Sequence, residues 1–252
     1  LTIIMSFHYS EASGGTDLRN RIVGARAMGK GYSPYFYKWN PADGERLLDP
    51  NDQPTRLLNG NTVTPAVLYI LYPLSPLNYP AIRLLWTILQ ILAAISVVWM
   101  MLRRYKGYSP ITSAGIVILG LLASDYWFMH IERGQIYIFY ALFFAFIYYA
   151  YTAKWKNATF IAGFVAGLFM FFRPFAGIIG LGFLLHGKMK WVRGCIMGAI
   201  IGTLLFVLPN PAVWQYYFKA MEEYGNEYLA NGHVIQGAKE NINLPVIEGA
   251  TK

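Results

Sequence analysis

The chain has 252 residues, 56% hydrophobic, 17% aromatic and only 13% charged. Ordinary soluble domains carry roughly 25% charged residues, so this apolar surplus excludes a water-soluble domain with one small core and predicts an all-α, polytopic transmembrane helical bundle. The formal net charge of +8 is concentrated in short basic connections, which argues for lipid-facing topology signals and against a nucleic-acid partner.

The opening LTIIMSF is too short to span and lacks a basic leader, and it is read as the tail of a first helix truncated in this sequence. Residues 8–78 then form a long first outer loop with interfacial helices of its own. From Asp17 to Met28, Leu18, Ile22, Ala25 and Met28 recur every three to four residues, which predicts a short amphipathic helix. Thr16 is its expected N-cap, placing Asp17 in a first turn where the helix dipole favours negative charge. Gly29, Gly31 and Ser33-Pro34 end the helix, and Tyr32, Tyr35, Tyr37 and Trp39 suit an interfacial belt. After a turn-rich stretch, TPAVLYILYPLSPLNYP is too short and too proline-broken to span and is read as an interfacial helix.

Residues 79–209 hold the transmembrane helices. Four stretches, about 79–102, 111–129, 135–153 and 191–209, have the length needed to cross an apolar slab ~30 Å thick. Between the last two, Arg173-Pro174 divides two shorter apolar runs, predicting a helical pair that turns at one membrane face. Residues 210–252 form an outer polar segment, and the whole chain is one transmembrane domain expected to continue beyond both ends.

Arg103, Arg104 and Lys106, then Lys154 and Lys156, then Lys188, Lys190 and Arg193 fill three connections without an acid, so these belong in the cytoplasm. All the acids then fall on or near the other side, from Glu11 and Asp17 through Asp125 and Glu132 to Glu248. The alternation closes only if Arg173-Pro174 is at the outer face. Cys195 stands alone in an apolar helix, which leaves no disulfide framework.

Chemistry is sought where charge meets this outer face. Asp17 can accept a proton from an incoming hydroxyl, or it can be a dipole partner salt-bridged to Arg21. Arg173 is costly inside an apolar hairpin and suits an anion or a polar path. HIERGQ, 130–135, sets His130, Glu132, Arg133 and Gln135 in a tight outer turn, with Asp125 just before it in the end of a span and available to an arginine. Arg133 and Arg173 together would make a cationic pocket for a phosphate. Arg19, His130, Glu132, Gln135 and Tyr35 are candidate substrate-binding residues. No metal site is expected: DGE at 43–45 and DPND at 49–52 lie in solvated loops and the histidines lack ligand spacing, so a divalent metal is unsupported. GFVAG at 163–167 is a small-residue pattern that predicts close helix packing.

TDLRNRIVGARAMGKGYSPYFYKW and the downstream RGQIYIFYALFFAFIYYAYTAKWKNATFIAGFVAGLFMFFRPF together resemble the polyprenyl-phosphate-sugar-dependent glycosyltransferases of the GT-C fold, particularly the bacterial multi-spanning branch of mannosyl- and arabinosyltransferase-like enzymes. The resemblance implies Asp17 as the catalytic base and Arg173 as a donor-phosphate contact. It implies inverting transfer of a hexosyl or pentosyl unit from a polyprenyl-phosphate sugar to a hydroxyl of a glycan or glycolipid, at the non-cytoplasmic face of a bacterial inner membrane and in the service of the cell envelope. The first loop departs from the family in lacking a clean Asp-x-Asp. A secondary transporter or lipid flippase is the alternative, but it would want charged groups and broken helices at the bilayer midplane. A non-catalytic envelope scaffold would leave Arg173 without a role.

Overall fold

The computed structural model describes residues 2–12, 14–53, 55–104, 109, 115, 124–178 and 187–230, and all regular structure among them is helical. Helix α1 (Thr2–Ala12) leads through Gly14 and Gly15 into α2 (Thr16–Gly29). The expected Thr16 cap is replaced by Gly15, whose φ of 68° is left-handed and which no side chain caps. Two facts demand glycine there: the positive φ, and a Cβ that would overlap Arg83 and the Tyr79 hydroxyl. That hydroxyl donates to the Gly14 and Gly15 carbonyls at 2.7 and 2.9 Å, tying the turn to the start of a long helix.

The predicted apolar face of α2 is buried throughout at Leu18, Ile22, Ala25 and Met28. It packs on α3 (Pro65–Leu71), whose Ala66, Val67, Leu68 and Leu71 are also buried. The segment read as an interfacial helix thus lies with α2 in the main core. Between them the loop is pinned by Lys38, whose ammonium meets Asp52 at 2.7 Å and donates to the Gln53 and Leu58 carbonyls.

Helix α4 (Tyr79–Arg104) has 26 residues, about 39 Å of rise. Helix α5 (Asp125–Arg133) meets α6 (Tyr137–Tyr151) at 112°. Helices α7 (Ala158–Phe169) and α8 (Met189–Phe206) follow, and then α9 (Pro211–Ala230). By length and apolarity α4 and α8 can each cross a membrane, and the bent pair α5–α6 can supply a third crossing. The stretch 111–129 lies mostly outside the described residues, as do Lys106, most of the second apolar run after Pro174 and residues 231–252. Where that stretch re-enters view, Ser124 caps α5 and the helix runs past 129 to Arg133. Asp125, expected in a buried span end beside an arginine, is exposed in the first turn of α5 instead, where the helix dipole favours it. After Asn210, the next twenty residues of the predicted polar segment are the helix α9, closed onto α8 by a 2.6 Å hydrogen bond from Trp214 Nε1 to the Phe206 carbonyl.

The tightest pair is α7 with α8. A Cβ on Gly163 or Gly167 would overlap the carbonyls of Trp191 or Cys195, and one on Gly194 or Gly198 those of Phe160 or Phe164. The GFVAG pattern is therefore a backbone-to-backbone seam. The helix directions put the starts of α4 and α6 and the ends of α7 and α8 beside α2, α3 and α9, joined by Tyr140, Phe169, Phe172 and Phe206. At the far end Arg104 donates to the Tyr149 carbonyl at 3.0 Å, among the basic connections.

Candidate active site

The site grows from the start of α2. Asp17 lies one turn from Arg21, and both face the α5–α6 corner, where Gly134 at φ 68° ends α5 and turns the chain. Gln135 emerges from this turn and donates through Nε2 to Asp17 Oδ2. Arg133 Nε reaches the same Asp17 oxygen at 3.1 Å. Arg21 donates to the Gly134 carbonyl at 3.1 Å and to Gln135 Oε1 at 3.2 Å, so Gln135 bridges the buried guanidinium and the carboxylate. The ion pair expected between Asp17 and Arg21 is made by Arg133 instead.

These groups line a cavity of about 200 Å³ with Asn20, Gly60, Thr62, Tyr137 and Tyr224. Its exposed walls are almost wholly polar. Asn20 is held there by its amide, which donates to the buried Asp49 at 3.2 Å. Arg173 stands behind one wall, its guanidinium 5.5 Å from the Tyr137 ring and 4.7 Å from Tyr140, in cation–π geometry. Among the described residues no carboxylate pairs with it. Two guanidinium groups, Arg21 and Arg133, thus line the cavity with the Asp17 carboxylate, and Arg173 stands behind the Tyr137 wall.

The arginines are not equally mobile. Arg21 is 7% exposed, and burial lowers its pKa against the opposing pull of Asp17. Hydrogen bonds to a buried charged group of this kind are worth about 1.5–3 kcal/mol each. Arg133, with a half-exposed side chain, makes a pair with Asp17 of the kind worth roughly 0–1 kcal/mol. Arg133 is thus the less firmly held of the two.

A family model described as glycosyltransferase family 87 matches residues 62–239, well over half of the chain. The chain belongs to glycosyltransferase family 87. Family 87 is a GT-C-type membrane glycosyltransferase family, which makes this chain a membrane glycosyltransferase with a sugar donor, an acceptor and a lipid environment. No curated protein and no solved structure gives a match. The family-87 match contains Arg133, Gln135, Tyr137 and Arg173 and begins downstream of Asp17.

Of the other residues singled out in the sequence, Arg19 stacks 4.2 Å over the Tyr79 ring and His130 stacks on Trp127, both outside the cavity lining. Glu132 lends its backbone carbonyl to Arg83 at 2.8 Å. Tyr35 is fully buried, its hydroxyl donating to the Val63 carbonyl at 2.9 Å and its pKa raised well above normal by burial, so it serves the core of this family-87 chain and does not line the cavity. Among the described residues no three side chains of ligand type gather as a metal would need.

Sequence reasoning passed over Arg83, Gln90 and the wall residues. Arg83, 6% exposed, donates to the carbonyls of Ser10, Ile131 and Glu132 and so fastens α1, α4 and α5 beneath the site. Gln90, fully buried one to two turns further along α4, donates to the Gln135 carbonyl at 2.8 Å. Their signal was present: polar groups inside an otherwise apolar span are costly and usually have a task. Asn20, Thr62 and Tyr224 carry no such mark, since their meeting depends on elements distant in the chain.

Proposed function

We propose that the chain transfers a hexosyl or pentosyl unit from a polyprenyl-phosphate sugar to a hydroxyl of a glycan or glycolipid, in one inverting step at the non-cytoplasmic face of a bacterial inner membrane. The observation that carries this reading is the meeting of Asp17, Arg133, Gln135 and Arg21 around one polar cavity, with Arg173 adjoining through Tyr137. In this reading Asp17 takes the acceptor proton as the acceptor oxygen attacks the anomeric carbon, and the bond to the phosphate breaks with its electron pair on the departing oxygen. Arg133 and Arg173 balance the charge that develops there. In a site with little water such charge stabilisation is the larger contribution, and the base adds about 10²–10⁴-fold. The basic connections at the far end of the helices support the orientation, since such loops stay on the cytoplasmic side.

The reading is tested with Asp17→Asn in the membrane-reconstituted chain, supplied with a radiolabelled polyprenyl-phosphate sugar and a glycolipid acceptor. Transfer should fall at least 10²-fold while the protein remains folded and still retains the donor. Turnover at the wild-type rate would remove Asp17 from the base role.

A further inference from the structure

Asp17 is contacted on one oxygen only. Arg133 Nε and Gln135 Nε2 both meet Oδ2, whereas Oδ1 accepts no hydrogen bond among the described residues. Arg133 is likewise engaged on one side: its Nε holds Asp17, and its two terminal nitrogens carry no hydrogen bond among the described residues. A fork held in this way leaves its outer pair of donors open to the oxygens of a phosphate. Gln135 is fixed in turn, by Arg21 on its amide oxygen and by Gln90 on its carbonyl.

From this geometry we propose that Arg133 is a shared counter-ion, held in place by Asp17 before transfer and given over to the leaving phosphate as Asp17 takes up the acceptor proton. This rests on Asp17 acting as base toward a phosphate-linked donor. The charges balance through the step. Before it, the site holds the Asp17 carboxylate and a phosphodiester monoanion. The proton of the acceptor hydroxyl passes to Oδ1, a bond forms between the acceptor oxygen and the anomeric carbon, and the carbon–oxygen bond to phosphate breaks. Afterwards Asp17 is neutral and the phosphate is a monoester dianion, so one negative charge has moved from one side of Arg133 to the other. The total facing the arginines is unchanged, and Arg21, locked in its buried contacts, stays still while Arg133 follows the charge.

Asp17→Asn imitates the state after proton uptake. In the full chain in nanodiscs it should bind a polyprenyl monophosphate about tenfold more tightly than wild type, equivalent to about 1.4 kcal/mol, with affinity for the uncharged polyprenol unchanged. With Arg133→Gln also present, Asp17→Asn should alter phosphate affinity less than twofold. Asp17→Ala repeats the measurement should the Asn variant not fold, since the loss of charge is what matters. Unchanged or weakened phosphate binding in the Asp17 variants would overturn the proposal, as would the same gain without Arg133, which would mark simple repulsion between Asp17 and the phosphate. The transfer assay stays separate: lost transfer without tightening rejects the sharing alone, and retained transfer rejects the base reading beneath it.

Discussion

Gly134 carries Arg133 and Gln135 on either side of it, and its left-handed φ of 68° sends both side chains toward Asp17. A Cβ at that position would overlap Leu18 Cβ and Arg83 Nη1, neither of which has room to yield: Leu18 is fully buried and Arg83 is held by three carbonyls. For Gly134→Ala we expect about 1–2 kcal/mol of loss from the backbone conformation and a further ~1–3 kcal/mol from overpacking. Thermal melting of the detergent-solubilised protein should show the drop, accompanied by a fall in transfer because the Gln135 and Arg133 contacts move. A variant with wild-type melting and turnover would show that this corner tolerates a side chain. The individual residues here were partly legible: Asp17 in a first turn, and a charged, polar turn at 130–135. That Oδ2 of Asp17 meets partners from residues well over a hundred positions downstream was not legible, because no local periodicity records which loop a helix start will face.

Helices α7 and α8 touch through glycine, and their shared seam supports the end of α7, to whose Phe169 carbonyl the Arg173 backbone N–H donates at 3.0 Å just beyond the helix. Gly198→Ala would push a methyl group into the Phe164 carbonyl, and a backbone atom cannot turn aside as a side-chain end can. We expect the pair to part, at about 1–3 kcal/mol, seen as earlier melting and faster protease cleavage. Gly225→Ala in α9 is the control: a Cβ there meets nothing within 4 Å, and alanine favours a helix by up to ~1 kcal/mol over glycine, so stability should hold or rise. Loss of stability in both variants alike would disprove the seam. At this level α4 and α8 were readable as long apolar runs, and α2 from its apolar period. The start of α5 was not: Ser124-Asp125 begins a helix inside what composition presents as a continuing span, and local capping chemistry outweighs the apolar run.

One end of the helices gathers the cavity and the other gathers the acid-free basic connections with Arg103, Arg104, Lys154 and Lys156, about 39 Å apart along α4. If the cavity opens away from the cytoplasm, a membrane-impermeant maleimide added to intact cells should label Glu45→Cys and spare Lys156→Cys, each in a Cys195→Ser background. Both positions are exposed, so access to the reagent is decided by the membrane. Labelling of Lys156→Cys alone would invert the orientation.

Composition by itself determined that this chain is a membrane bundle of helices, since burial of so much apolar surface needs lipid, and charge spacing marked which connections share a side. The paired use of Asp17 and Arg133, the burial of Arg21 and Arg83, and the retreat of Tyr35 into the core were decided only by tertiary structure. Hydrophobic period is a property of neighbouring residues, whereas a site is a meeting of chain ends, turns and helix starts whose distances are set only once the helices have packed.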